Sequence, residues 1–296
     1  MLMDQSRVVT HLGCRLNNMK KNNLAGFGKN IYSQYGEDGI IEEVFKIVKP
    51  APGEKWCVEF GAWDGVYLSN ACNLIRNRSW NGVLIEPNSK RFDQLKNNYK
   101  DNDRTILINK FVNTGGVDTI DRILSKTPIP KNYGLLSVDI DGNDYYIWKS
   151  VKNYTPSVVI IEYNPTIPAH IEYVQPCDPK INRGTSLLSL CKLARKKGYE
   201  LIYVTDSNAI FVLRKYFSRF GKIDNSPEKL MPKKYLTDFF QLYDGTVVLR
   251  GCKRLLWHGI DFDDNNVQIL PRFLRRFSNQ LIYILRICKK LGLVKG

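Results

Sequence analysis

The segment Trp56–Gly65 limits the possible folds of this chain more than any other. A short apolar strand ends in Glu59 and runs into a turn that contains Gly61, and a helix is predicted over residues 67–77. A second predicted strand, Gly82–Glu86, ends in another acid about twenty-five residues later. Open α/β folds receive the nucleoside part of a cofactor at such a strand–turn–helix unit, where glycine lets the backbone approach the ligand. The segment therefore predicts a cofactor site in a fold of this class.

The residues within the turn discriminate between cofactors. A dinucleotide needs the pattern G-x-G-x-x-G, because its pyrophosphate binds bare backbone amides at a helix N-terminus. Here the turn carries Trp63 and Asp64, and a carboxylate beside a pyrophosphate would repel it, so NAD is disfavoured. S-adenosylmethionine has no phosphate and carries a sulfonium and an ammonium group, so Glu59, Asp64 and Glu86 favour it. The alternative is that the glycines only form a tight turn between strand and helix.

Further along the chain, strands and helices are predicted in alternation. The fourth and fifth strands are nearly continuous apolar runs, as expected for strands buried on both faces. The predicted helices are Glu37–Val48, Ser89–Tyr99, one beginning over Thr119–Leu124, and one from Thr185 to Gly198. The remaining predicted strands are Thr105–Val112, Tyr133–Ile140, Ser157–Tyr163, Glu200–Thr205 and Ala209–Leu213. Units of strand and helix followed by a strand hairpin predict a Rossmann-like, doubly wound α/β fold, with a seven-stranded sheet whose last strand is antiparallel.

Length and composition are compatible with one domain flanked by two other segments. The chain has 296 residues, of which 43% are apolar, enough for a sizeable core. We predict a basic N-terminal segment over 1–30, a cofactor-binding domain over 31–213 and a C-terminal extension over 214–296. Seven cysteines without a C-x-x-C pair favour reduced thiols. Because the sequence shows no membrane-spanning or signal-peptide pattern, a cytoplasmic location is expected.

Four motifs in the sequence resemble those of a known enzyme family. In chain order they are Glu59–Gly65 (EFGAWDG), Leu84–Pro87 (LIEP), Ser137–Gly142 (SVDIDG) and Val159–Glu162 (VIIE). Their order and spacing are similar to class I S-adenosylmethionine-dependent methyltransferases, and most similar to the FkbM-like branch, whose members mostly methylate hydroxyls of sugars and natural products. Tyr32–Gly39 also resembles the segment that precedes the fold in this family. The resemblance covers residues 31–213, with Trp63 in place of a common glycine and Asp141 in place of a glutamate.

The resemblance implies an O-methyltransferase that acts on a hydroxyl of a sugar, glycan or related metabolite, a lipid-linked acceptor being one form of that substrate. It places Glu59 near the methionine amino group, Gly61 under the nucleoside and Glu86 on the ribose hydroxyls. An alternative for Glu86 is that it only caps the helix that follows Pro87. The expected cofactor-binding residues are Glu59, Gly61, Asp64, Gly65, Glu86, Gln34 and Asp38.

Asp139 and Asp141 form a second candidate centre, since they follow a buried strand at the edge where open α/β sheets bind ligands. In an extended segment both carboxylates would point the same way, and they repel unless one is protonated or a cation lies between them. Either acid could be the catalytic base, or the pair could hold Mg²⁺ together with Glu162 or Asn164. The alternative is an ordinary polar turn. His170, in the loop after strand five, is a further candidate base or a plain surface histidine.

Two other classes of function are open at this point. The sequence Asp139-Ile-Asp141 has the D-x-D form that binds Mn²⁺ and a sugar-nucleotide diphosphate, so a metal-dependent glycosyltransferase is one alternative. The other is a non-catalytic binding protein on a methyltransferase-like scaffold, in which Trp63 would fill the cofactor pocket.

The net charge of +15 indicates an acidic partner. Residues 271–291 are predicted to form a helix with Arg and Lys on one face and Phe, Leu and Ile on much of the other. Such a helix can make a peripheral contact with an anionic membrane, or it can pack its apolar face on the core. Nucleic acid is disfavoured as a partner, because no recognisable RNA-binding module accompanies the charge.

Overall fold

The computed structural model describes residues 24–276 and 279–293, so most of the predicted N-terminal segment lies outside the described residues. Its main sheet consists of β1 Trp56–Phe60, β2 Asn81–Ile85, β3 Thr105–Ile108, β4 Asn132–Val138, β5 Thr155–Glu162, β6 Tyr199–Val204 and β7 Asn208–Leu213. The spatial order is β3-β2-β1-β4-β5-β7-β6, and β7 runs antiparallel to both of its neighbours. The other neighbouring pairs are parallel, which confirms the predicted seven-stranded Rossmann-like fold with an antiparallel last strand.

Helices precede and connect these strands. They are α1 Glu37–Val48, α2 Cys72–Arg78, α3 Ser89–Tyr99, α4 Ile120–Leu124, α5 Asp144–Ser150 and α6 Leu187–Lys196. Most agree with the sequence prediction, but α2 begins at Cys72 rather than at residue 67, and α5 is not among the predicted helices.

Asp144 explains why α5 follows β4 so closely. One of its carboxylate oxygens accepts a hydrogen bond from the Ile140 amide and the other from the Gly142 amide, both at 2.9 Å. These bonds hold residues 139–143 as a loop, so β4 ends at Val138 rather than at Ile140. The sequence in this loop, with its glycine and acids, is typical of a turn, and the short helix behind it gives no strong periodic signal.

Both faces of the sheet are buried. Residues alternate along the strands between two apolar clusters, so that in β1 Val58 and Phe60 belong to one cluster and Cys57 to the other. Helices α4, α5 and α6 contribute to the first cluster, and α1, α2 and α3 contribute to the second. Because helices cover both faces, nearly every side chain of the central strands is buried, which explains the continuous apolar runs of β4 and β5.

The C-terminal extension adds further small elements. They are α7 Arg214–Phe217, α8 Pro227–Leu230, β8 Thr237–Gln241, β9 Val247–Gly251, β10 Arg254–Leu255, β11 Ile260–Asp261 and α9 Asn279–Lys290. β8 pairs with β9, and β10 with β11, as two antiparallel ribbons separate from the main sheet. Within the range 271–291, for which one helix was predicted, the described residues form a 3₁₀ turn at Arg272–Leu274 and the helix α9 at Asn279–Lys290. Among the described residues, no helix is both long and apolar enough to cross a bilayer.

Candidate active site

A cavity of about 680 Å³ opens at the carboxyl ends of β1, β2, β4 and β5. This volume is within the usual range for ligand sites, and the position is the one at which open α/β sheets bind ligands. The predicted functional residues that line the cavity are Gln34, Glu59, Gly61, Glu86, Asp139, Asp141 and Glu162. The sheet therefore brings together residues from segments that are far apart in the sequence.

The turn after β1 fits closely against the segment that follows β4. Gly61 has a φ of +66°, and a Cβ there would lie 2.1 Å from the carbonyl oxygen of Asp139. Only glycine fits at this position without displacing backbone. Trp63 also has a left-handed backbone, with φ of +50°, and the Arg91 guanidinium lies 3.8 Å from the centre of its ring. The turn therefore forms one wall of the cavity, and at Gly61 this wall consists of backbone without a side chain.

Glu59, at the end of β1, is buried and holds the loop before α2. Its carboxylate accepts hydrogen bonds from the Ser69 hydroxyl at 2.6 Å and from the amides of Asn70 and Ala71 at 2.8 and 3.3 Å. Burial raises the pKa of Glu59 to about 7, although these three hydrogen bonds lower it. Since these bonds occupy residues 69–71, α2 begins only at Cys72. The role predicted for Glu59, near a methionine amino group, stays a prediction.

Glu86, at the carboxyl end of β2, is buried and lines the cavity. One carboxylate oxygen accepts a hydrogen bond from the Trp63 amide at 2.9 Å, and the other accepts one from the Asn88 amide at 2.8 Å. A carboxylate has about four acceptor positions, so Glu86 can still accept hydrogen bonds from a ligand. The cap of α3 is the Asn88 side chain, which accepts from the Arg91 amide at 3.1 Å. Glu86 is therefore not needed as the helix cap.

Three acids converge in the cavity from β4 and β5. Asp139, Asp141 and Glu162 each offer a carboxylate oxygen, and these oxygens lie within 4.8 Å of one another. The sequence predicted that strand alternation brings Asp139 and Asp141 together. That reason is wrong, because β4 ends at Val138, before both residues. The convergence comes from a reversal of the backbone at Asp141, whose φ is +56°. We call Asp139, Asp141 and Glu162 the acidic cluster.

Burial and mutual repulsion raise the pKa values in and beside the acidic cluster. The pKa of Asp139 rises to about 8, because burial penalises its charge and Asp144 and Asp141 repel it. Burial, followed by repulsion from Asp139, raises the pKa of Glu162 well above its usual value. Burial raises the pKa of Asp144 to about 6, against backbone hydrogen bonds that lower it. Near neutral pH the cluster therefore retains protons or favours a cation among its carboxylates.

Two predicted cofactor residues bind the protein's own backbone instead. One Asp38 oxygen accepts hydrogen bonds from the amides of residues 31–33 at 2.8, 2.7 and 2.8 Å. One Asp64 oxygen accepts from the amides of Val66 and Tyr67 at 2.9 and 2.8 Å. Neither Asp38 nor Asp64 is among the residues that line the cavity. Their carboxylates stabilise the two loops beside the cavity, and their predicted contact with the cofactor stays a prediction.

Three more predicted site residues lie outside the cavity lining. A Cβ at Gly65 would lie 2.5 Å from side chains of α3, so this glycine permits helix packing rather than close approach of a ligand. His170 is exposed, and its assignment as a catalytic base stays a prediction. The Asn164 carboxamide oxygen accepts from both the amide and the hydroxyl of Thr166, at 2.9 and 2.7 Å. That oxygen therefore closes a local turn, and the role of Asn164 as a metal ligand stays a prediction.

Residues of the C-terminal extension, which no sequence motif connects with the site, also line the cavity. They are Tyr235, Leu256 and Trp257. The Tyr235 hydroxyl donates to Asp206 at 2.9 Å, and Lys234 forms a salt bridge with the same carboxylate. These contacts tie the extension to the turn between β6 and β7. No local pattern signals them, because they join segments that are distant in the sequence.

Comparisons with known proteins found matches only among solved structures. No protein-family profile and no curated protein matches the chain. An O-methyltransferase family protein from Burkholderia thailandensis aligns at 13% identity over 60% of this chain and 57% of its own, with a TM-score of 0.38. A SAM-dependent methyltransferase from Aquifex aeolicus aligns at 10% identity over 58% and 87%, with a TM-score of 0.35. An O-methyltransferase from Bacillus cereus, in complex with SAH, aligns at 16% identity over 65% and 86%, with a TM-score of 0.43.

This chain thus spans a little over half of the Burkholderia protein. At such identities and TM-scores the similarity does not assign an activity. The fold rests on the strand order and pairing directions observed in the sheet itself.

Proposed function

We propose that the protein is an S-adenosylmethionine-dependent O-methyltransferase that acts on a hydroxyl of a sugar, glycan or related metabolite, as its FkbM-like motifs imply. The observation that carries this proposal is the cavity in which the Gly61 turn meets the buried carboxylate of Glu86. Bare backbone at Gly61 leaves room for a nucleoside, and Glu86 retains acceptor positions for the hydroxyls of a ribose.

The charge of the cavity supports a cationic cofactor. Glu59, Asp139 and Glu162 all line it, and burial raises the pKa of each. A sulfonium or ammonium group among these acids would lower the repulsion between them, whereas a pyrophosphate would increase it. The same argument that disfavours NAD from the sequence therefore applies to the folded site.

The position of Trp63 supports a binding-competent site over a non-catalytic scaffold. Its side chain is 40% exposed and stacks with Arg91 at the edge of the cavity. It does not fill the pocket, since a volume of about 680 Å³ stays open beside it.

Methyl transfer needs the acceptor oxygen about 3 Å from the methyl group and a residue that removes the proton from the hydroxyl. Asp139 suits this role, because its carbonyl abuts Gly61 while its side chain lines the same cavity. Tyr235 and Trp257 add aromatic surface to the cavity, and Trp257 is 62% exposed. Aromatic faces beside carboxylates suit a ring with several hydroxyls, which supports the proposal of a sugar acceptor.

The acidic cluster also fits a divalent cation, and we propose Mg²⁺ as a second ligand of the site. Carboxylate oxygens are the ligands that this ion prefers, and Asp139, Asp141 and Glu162 supply three of them within 4.8 Å of one another. A bound Mg²⁺ would act as a Lewis acid toward an acceptor oxygen. The residues that would hold it are the three of the cluster. Asp139 would then be a metal ligand, and the ion rather than the Asp139 carboxylate would activate the acceptor hydroxyl.

We expect Mn²⁺, used as a probe for Mg²⁺, to raise the Tm of the wild-type protein and to raise it far less in Asp141→Asn/Glu162→Gln. The reason is that the double variant removes two of the three charged ligands. Differential scanning fluorimetry measures the shift. The matched control is Asp101→Asn/Asp103→Asn, which removes two exposed acids outside the cavity. Equal shifts in the two double variants would exclude a metal at the cluster.

We also expect S-adenosylmethionine and S-adenosylhomocysteine to stabilise the protein, by about 2.7 kcal/mol at a hundred times the dissociation constant. A thermal-shift series that includes NAD and uridine diphosphate sugars with Mn²⁺ tests this. Stabilisation by the sugar nucleotide alone would favour the glycosyltransferase, and no stabilisation by either adenosine ligand would favour a non-catalytic protein. Either result would overturn the proposal.

A further inference from the structure

Helix α9 exposes an apolar face. Ile284, Ile287 and Leu291 follow one another at helical spacing, so they lie on the same side of the helix. They are 47%, 41% and 66% exposed, respectively. The sequence left open whether this face packs on the core. Within residues 24–276 and 279–293, these three side chains are exposed rather than buried in the core.

The other side of α9 carries cations together with Ile282 and Tyr283, which are 52% and 70% exposed. Arg286, Lys289 and Lys290 are all exposed and also share helical spacing. Three more arginines, Arg272, Arg275 and Arg276, precede the helix, and the sequence contains no Asp or Glu after Asp264. An exposed apolar face thus adjoins a cluster of cations.

We propose that α9 binds the surface of an anionic membrane, with its apolar face inserted at the boundary between headgroups and acyl chains. A helix of this kind gains both from apolar burial and from attraction to anionic lipids. It has 12 residues. It is therefore about 18 Å long, too short for a hydrocarbon core of about 30 Å, so it lies in the interface plane.

Other occupants fit this surface less well. A nucleic acid would neutralise the cations but leave Ile284, Ile287 and Leu291 in water. A second copy of the chain would bury the apolar face but bring two sets of cations together. The proposal concerns a surface outside the residues that line the cavity, and it does not depend on the proposed activity.

The test is co-flotation of the full-length protein with vesicles of phosphatidylcholine alone and with added phosphatidylglycerol. We expect binding only to the anionic vesicles, and release by salt, because exposed charges are screened over about 8 Å at physiological ionic strength. Arg286→Ala/Lys289→Ala/Lys290→Ala should lower the partition coefficient about 100-fold, since each cation contributes on the order of five-fold. Ile284→Asp/Ile287→Asp should abolish binding by removing apolar insertion.

The matched control is Lys90→Ala/Lys100→Ala/Lys126→Ala, which removes the same charge from exposed positions elsewhere. It should bind nearly as well as the wild type. An equal loss in this control, or equal binding to neutral vesicles, would overturn the proposal. So would a lowered Tm in Ile284→Asp/Ile287→Asp, because it would mean that the apolar face packs within the protein or against a second copy.

Discussion

Replacing Asp139 with asparagine is expected to lower kcat by about 10²- to 10⁴-fold while cofactor affinity changes little. The substitution keeps the shape of the side chain but removes the carboxylate that we propose as the base. Single-turnover methyl transfer gives the rate, and calorimetry gives the affinity for S-adenosylmethionine. Asp103→Asn is the control, because Asp103 is an exposed acid that does not line the cavity. Near-native turnover in Asp139→Asn would exclude Asp139 as the base.

The same assignment predicts a pH dependence. A base acts only when ionised, and the pKa of Asp139 is raised to about 8, so kcat should rise as the pH increases through about 8. Repulsion from Asp141 contributes to this raised pKa, so Asp141→Asn should move the midpoint to lower pH. A divalent cation in the cluster would favour the ionised form and move the midpoint the same way. A profile that is flat from pH 6 to 9 in metal-free protein would contradict the assignment.

Glu86→Ala is expected to weaken S-adenosylmethionine binding by about 10- to 100-fold. The variant would lose the proposed charge-assisted hydrogen bonds to the ribose hydroxyls, which contribute about 1.5–3 kcal/mol. The variant also lacks the carboxylate that accepts a hydrogen bond from the Trp63 amide at 2.9 Å, and this loss loosens the turn after β1. Calorimetry on the folded variant measures the affinity.

Asp64→Asn is the matched control for Glu86. Asp64 is an acid of the same turn, but its carboxylate accepts from the amides of Val66 and Tyr67 and does not line the cavity. We expect its cofactor affinity to stay close to wild type. Equal weakening in both variants would show that the turn as a whole, rather than the Glu86 carboxylate, determines binding.

The sheet could be predicted from the sequence because its signals are local. β4 and β5 are apolar along nearly their whole length, as strands covered on both faces must be, and acids follow them directly. Glu59 and Glu86 end neighbouring parallel strands, so the strand assignment alone places both at one edge of the sheet. Chain order and strand type therefore determined the fold and the approximate position of the site.

Which acids enter the cavity was decided only by the tertiary structure. Asp64 and Glu86 are both carboxylic acids close to the same turn, yet backbone amides bind Asp64 away from the cavity while Glu86 lines it. Asp139 and Asp141 converge because the backbone reverses at Asp141, and not through strand alternation. Such choices depend on φ, ψ and hydrogen bonds to distant amides, which a local pattern does not encode.

The C-terminal extension also shows that a local sequence pattern does not determine which residues the folded chain covers. Its amphipathic helix was visible as a periodic pattern, but whether Ile284 and Ile287 are covered depends on what the folded chain places beside them. The approach of Tyr235 and Trp257 to the cavity likewise has no local signal. The sequence by itself determined the elements and the chemistry available at the ends of the strands. The tertiary structure decided which of those groups share a cavity, because packing between distant segments sets their distances and exposure.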